Sequence, residues 1–138
     1  LVQWQEVAGR RYPQLLEEGC FSQHNLSVAA RMLEWAVRQT APAEGRAAER
    51  RDLLELYCGN GNFTLPLAAN FRRVLAAERN KRTLAAARSC AERAGVANAT
   101  FVRLTAEEVA EALQPGAREF RRLREARVDL AELDFGTA

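Results

Sequence analysis

Between positions 52 and 113 a short apolar run followed by a stretch of helical period occurs three times in succession, and this alternation restricts the fold more than any other feature of the chain. Asp52-Leu53-Leu54-Glu55-Leu56-Tyr57, Val74-Leu75-Ala76-Ala77-Glu78 and Thr100-Phe101-Val102-Arg103-Leu104 have the length and bounded apolar character of buried strands. Phe63 to Phe71 reads as a helix with Pro66 tolerable in its first turn, and Lys81 to Ala94 as another, with Leu84, Ala87 and Ala91 on one face and Gly95 as its stop. Ala106 to Leu113 is a third, closed by Pro115-Gly116. Strands separated by helices pair in parallel through right-handed crossovers, with helices covering the faces. A doubly wound α/β domain with a mostly parallel sheet is therefore expected. Such sheets bind ligands beyond the carboxyl ends of their strands, which puts Tyr57 to Asn62 and Glu78 on one rim.

The upstream third is less regular. Val28, Ala29, Met32, Leu33, Trp35, Ala36 and Val37 predict a helix from about Leu26 to Gln39, with Ser22, Asn25 or Ser27 as cap. Residues 40–49, with Pro42 and Gly45, read as an exposed connection, and Leu1 to Cys20 as a short strand or irregular lead-in from a preceding segment. With 138 residues, 48% of them hydrophobic, one core is expected. Twenty Lys plus Arg against eighteen Asp plus Glu, net +2, is too near neutrality to announce nucleic-acid binding by composition. No apolar run reaches the roughly 20 residues of a membrane span, and no signal peptide opens the chain, so a soluble, cytoplasmic protein is expected. Cys20, Cys58 and Cys90 lack CxxC spacing or histidine partners, which suggests reduced thiols and no metal site. Beginning at Leu1 and stopping at Ala138 without a cap, the sequence reads as a fragment.

The chemistry concentrates in Leu53 to Thr64. Gly59 and Gly61, at a strand-to-helix turn, let the backbone bend sharply and approach a ligand closely. No Gly-Lys-Ser/Thr follows, so this is not a phosphate loop, and Phe63-Thr64 stands where a dinucleotide fingerprint needs its third glycine. A nicotinamide oxidoreductase is disfavoured for that reason. Glu78, at the end of the next strand, is placed to accept both ribose hydroxyls of an adenosine. S-adenosylmethionine, which has a ribose and adenine but no phosphate, suits a lysine-free turn of this kind. The plainer alternative is a solvated strand-end acid beside an ordinary turn.

Leu-Leu-Glu-Leu-Tyr-Cys-Gly-Asn-Gly-Asn-Phe at 53 to 63 resembles the first motif of tRNA (uracil-5-)-methyltransferases, a family of class I, Rossmann-like S-adenosylmethionine-dependent RNA methyltransferases. Phe21-Ser22-Gln23-His24-Asn25 with Met32-Leu33-Glu34-Trp35-Ala36 is similar to the family's Phe-Thr-Gln-Pro-Asn segment and the helix after it, and Arg118-Glu119-Phe120 to a later segment. The resemblance makes residues 21–138 the N-terminal part of a cofactor-binding domain, incomplete on its C-terminal side. It implies S-adenosylmethionine contacts at Gln23, Tyr57, Gly59, Gly61, Asn62 and Glu78. It also implies methyl transfer to C5 of a uridine in the T-loop of tRNA, with the tRNA T-arm as partner; a monomer is expected, although the sequence itself does not give the oligomeric state. By the same resemblance a cysteine thiolate adds to C6 of uracil and a general base removes the C5 proton, both from segments beyond residue 138, so this stretch alone is not expected to turn over. Cys58 then reads as a turn residue, Cys20 and Cys90 as packing thiols, and His24, in place of the family's proline, as a loop residue.

Two other readings compete. One puts the uridine in ribosomal RNA; the other is a non-catalytic module that holds S-adenosylmethionine or RNA. The arginines at 118, 121, 122, 124 and 127, interleaved with Glu119 and Glu125, fit either an ion-paired solvated helix or a phosphate-contacting face.

Overall fold

The computed structural model describes residues 1–16, 18–19, 25–46 and 51–136. Three parallel strands, β3 (Leu53–Leu56), β4 (Val74–Ala77) and β5 (Ala99–Val102), form a sheet in the order β3-β4-β5. Leu53 lies opposite Val74, and Val74 opposite Ala99. Between and after them come α2 (Thr64–Leu67), continued by a 3-10 turn at Ala68–Asn70, then α3 (Lys81–Ala94), α4 (Ala106–Ala112) and α5 (Arg121–Glu125). The expected α/β architecture is present, with helices on both faces.

Strand periodicity divides the core. Val74 and Ala76 of β4 turn to one face with Phe101, where Leu65, Leu84, Ala87, Cys90 and Leu33 meet them. Leu75 and Ala77 turn to the other with Val102, against Val109, Phe120 and Leu123. Because β4 is flanked by a strand on each side and a helical layer on each face, all four of its residues are buried, which is why its sequence is a continuous apolar run.

The helix α1 (Leu26–Thr40) is capped by Asn25, whose side chain accepts from the Val28 N–H at 3.2 Å. No described helix is long and apolar enough to cross a membrane. For α3 the sequence bounds hold: Asn80 accepts from the Arg82 and Thr83 N–H groups, and Gly95 closes the helix.

The lead-in differs from expectation. Residues 2–15 form an antiparallel hairpin, β1 (Val2–Val7) and β2 (Arg10–Leu15), turned by Ala8 and Gly9, both at positive φ. Gln5 is a polar residue at a buried position and Pro13 sits inside β2, so neither strand shows a clean period of two. Pro13 is tolerated because β2 pairs on one side only. Val7 and Tyr12 enter the same core as Leu33 and Cys90, and Arg10 donates to the Ala94 carbonyl at 3.0 Å.

At the amino end of the sheet Asp52, its side chain fully buried, accepts from Arg72 through Nε at 3.0 Å and Nη2 at 2.6 Å, and from the Asp134 N–H at 2.9 Å. The Asp52 N–H donates to the Asp134 carbonyl at 2.7 Å. Burial pushes this carboxyl up, but the hydrogen bonds from Arg72, Asp134 and Arg73 outweigh it and hold the pKa at about 2. The clasp's stabilisation is thus present above the ordinary carboxylate pKa and is lost as pH falls through about 2. Asp52→Ala is expected to cost about 2 kcal/mol in urea unfolding at neutral pH, the two arginines being free to turn to water. An unchanged midpoint would show that the clasp is ornamental.

Candidate cofactor-binding site

The rim at the carboxyl ends of β3 and β4 is held by ladder bonds that outlast the strands. The Cys58 N–H donates to the Ala77 carbonyl and the Glu78 N–H to the Val102 carbonyl, each at 3.1 Å. These bring the turn after β3 beside the acid after β4. Glu78 accepts the Gly59 N–H on Oε2 at 3.2 Å and the Asn80 N–H on Oε1 at 2.8 Å. Each carboxylate oxygen is fixed by a backbone donor and keeps a further lone pair for a ligand hydroxyl.

The turn requires backbone conformations that L-residues resist. Gly59 and Gly61 have φ of 56° and 87°, and a Cβ on Gly61 would lie 3.6 Å from Ala87 and Leu65. Tyr57 also has a positive φ, 56°, although it is not a glycine. That strain throws its ring outward, 70% exposed, at the mouth of a cleft of about 370 Å³ lined by Gly19, Tyr57, Gly59, Glu78, Arg79, Asn80 and Thr83. The volume lies in the roughly 300–1,000 Å³ range of small-molecule sites.

Of the residues singled out from sequence, Tyr57, Gly59 and Glu78 line this cleft together. Gly61 packs beneath the turn against α3. Asn62 lies on the far side of the turn, its side-chain carbonyl accepting from the Gln14 amide of β2. Gln23 lies outside the described residues, as do Cys20 and His24.

Three features were not foreseen. Asn80 and Thr83, at the start of α3, border the cleft. The hairpin backs the glycine turn, with Asn60 donating to the Leu15 carbonyl at 3.3 Å. Glu55 of β3 accepts the Thr64 hydroxyl at 2.5 Å under the turn, and burial, opposed by that hydrogen bond, raises its pKa to about 7. An acid inside the apolar run Leu-Leu-Glu-Leu was the available signal.

Cys58 is buried, and burial together with the charges of Glu55 and Glu78 drives its thiol far above the ordinary range, which makes it an inert turn residue. Among the described residues no cluster of His, Cys, Asp or Glu could hold a metal ion. In the arginine cluster, Arg118 pairs with Glu111 at 2.8 Å, Arg124 with Glu119 at 3.1 Å and Arg121 with Glu125 at 3.4 Å, while Arg122 donates to the Arg103 carbonyl at 2.7 Å. This is the geometry of an ion-paired exterior.

The comparisons with known proteins point one way. The tRNA/tmRNA (uracil-C(5))-methyltransferase of Azotobacter vinelandii is 51% identical over 132 residues, covering 96% of this chain and 34% of the relative. The chain thus spans about a third of the length of the curated relatives it matches. The 16S rRNA N2 methyltransferase of T. thermophilus, solved with AdoMet and guanosine, superposes with a TM-score of 0.62 at 23% identity, over 86% of this chain and 30% of that one. The tRNA (uracil-54, C5)-methyltransferase of Pyrococcus abyssi, solved with S-adenosyl-L-homocysteine, gives 0.55 at 20% identity, over 72% and 23%. At these identities the two structures speak to fold, the Rossmann-like fold of such methyltransferases. The family model for tRNA (Uracil-5-)-methyltransferase matches residues 1–138 from end to end, and the chain belongs to that family.

Proposed function

We propose that this chain is the S-adenosylmethionine cradle of an enzyme that methylates C5 of a uridine in the T-loop of tRNA, acting as a monomer in the cytoplasm. The observation that carries the reading is the two-point fixation of Glu78 by the Gly59 and Asn80 N–H groups at the lip of a cleft of nucleoside size. A carboxylate held in this way fits a vicinal diol, accepting one hydroxyl on each oxygen. Tyr57 offers an aromatic wall. The cofactor, when bound, supplies an electrophilic methyl group. The residues present bind and orient it: Glu78 fixes the ribose, Gly59 allows close approach, and Gln23, by family resemblance, meets the amino-acid end.

The reading is tested by incubating the whole protein with methyl-labelled S-adenosylmethionine and tRNA transcripts. Label is expected in tRNA and absent from a transcript whose T-loop uridine is replaced by cytidine. Persistent labelling of the cytidine transcript, or labelling of ribosomal RNA alone, overturns the assignment of substrate.

A further inference from the structure

A chain of three side-chain amides, buried at Gln5 and half-buried at Gln14 and Asn62, joins the hairpin to the glycine turn. Gln14 of β2 donates from Nε2 to Gln5 Oε1 at 2.8 Å, and from the same nitrogen to Asn62 Oδ1. Gln5 is 6% exposed, and its own Nε2 is buried without a partner among the described residues. An unpartnered buried amide costs about 1–3 kcal/mol, and an apolar pair here would avoid it, so the amides serve something other than stability. The support beneath them is firm. The Leu15 N–H donates to Cys90 Sγ at 3.2 Å and the Leu15 carbonyl accepts from Asn60, fastening β2 to α3 and to the turn at the residue next to Gln14.

The polarity of the Gln14–Asn62 bond is informative. With Asn62 Oδ1 committed to a donor, its Nδ2 is left as a donor with no acceptor among the described residues. Glu78 fixes the adenosine end at one side of the turn, and Asn62 stands at the other.

We infer that Gln14 is a positioning residue: it holds the Asn62 amide so that its NH2 group faces the carboxylate of the ligand's amino-acid moiety. The inference rests on the S-adenosylmethionine reading of the cleft.

Two ligands separate the effects. S-adenosylhomocysteine has the amino-acid carboxylate; 5′-methylthioadenosine keeps the adenosine and lacks it. In calorimetric titrations of the whole protein, Gln14→Leu is expected to raise the Kd for S-adenosylhomocysteine about tenfold, the worth of one hydrogen bond to a charged group, and to change that for methylthioadenosine less than about twofold. Gln14→Glu, which keeps size and polarity but offers only acceptors, is expected to show the same selective loss and covers a failure of the leucine variant to fold. Adding Gln14→Leu to Asn62→Ala is expected to weaken binding no further.

Equal weakening of both ligands by either variant reduces Gln14 to hairpin packing and overturns the inference, as do unchanged affinities; both results leave the cofactor reading intact. Failure of the unmodified protein to bind either ligand removes the cofactor reading, and this inference with it.

Discussion

Replacing Glu78 by alanine is expected to weaken S-adenosylhomocysteine binding by about a hundredfold, since two hydrogen bonds from ribose hydroxyls to a fixed carboxylate are together worth about 3 kcal/mol. The substitution also releases the Gly59 and Asn80 N–H groups that the carboxylate accepts, so the turn loses its brace along with the anchor proposed for the ribose. Glu78→Gln keeps one acceptor and is expected to fall between, about tenfold weaker than the unmodified protein. Calorimetry reads both directly. If neither variant differs from the parent by more than about threefold, the acid is a solvated strand end and the cradle must lie elsewhere.

The second large effect is on stability and comes from Glu55. Its carboxyl, half-buried beneath the turn, has a pKa of about 7 against an ordinary value of 4.5. Between those two values the folded chain keeps a proton that the unfolded chain has given up, so stability falls as pH rises through that window and levels off above it. The full difference is up to roughly 3 kcal/mol, less whatever water reaching the side chain relieves. Glu55→Gln, which cannot ionise and can still accept from the Thr64 hydroxyl, should match the parent near pH 4, below both values, and exceed it by that amount near pH 8. Urea unfolding at the two pH values measures the gap. A constant difference between parent and variant would mean that Glu55 ionises normally. Asp52 moves oppositely and in a lower window, so the two carboxyls do not confuse one another's titrations.

Much of the fold was legible because its signals are local. The bounds of α3 follow from an apolar face, an Asn before it and a Gly after it, and they need no tertiary information. The strands end a residue or two earlier than their apolar runs. Tyr57 leaves the extended region by its positive φ, and Leu104 lies past the last pairing with β4. The hairpin was not legible, because Gln5 and Pro13 interrupt the pattern that would have announced two strands, and what settles them is packing against α1 and α3, far along the chain.

The same division holds for the site. That Glu78 stands beside Gly59 follows from parallel strands with a crossover between them, a consequence of topology that alternation alone supplies. That Gln14 reaches Asn62, 48 residues away, depends on how a separate hairpin docks, and nothing in the spacing encodes it. The burial of Glu55 was half legible, since an acid within an apolar run must either reach water or find a partner, and the partner is Thr64.

Tyr57 is held in a backbone shape that suits glycine or asparagine far better than an aromatic residue. A selection that rewarded only heat resistance would therefore push this position toward the smaller residues and give up the flat surface that closes the mouth of the cleft. On the cofactor reading proposed above, folding ease and ligand grip pull against each other at this one residue.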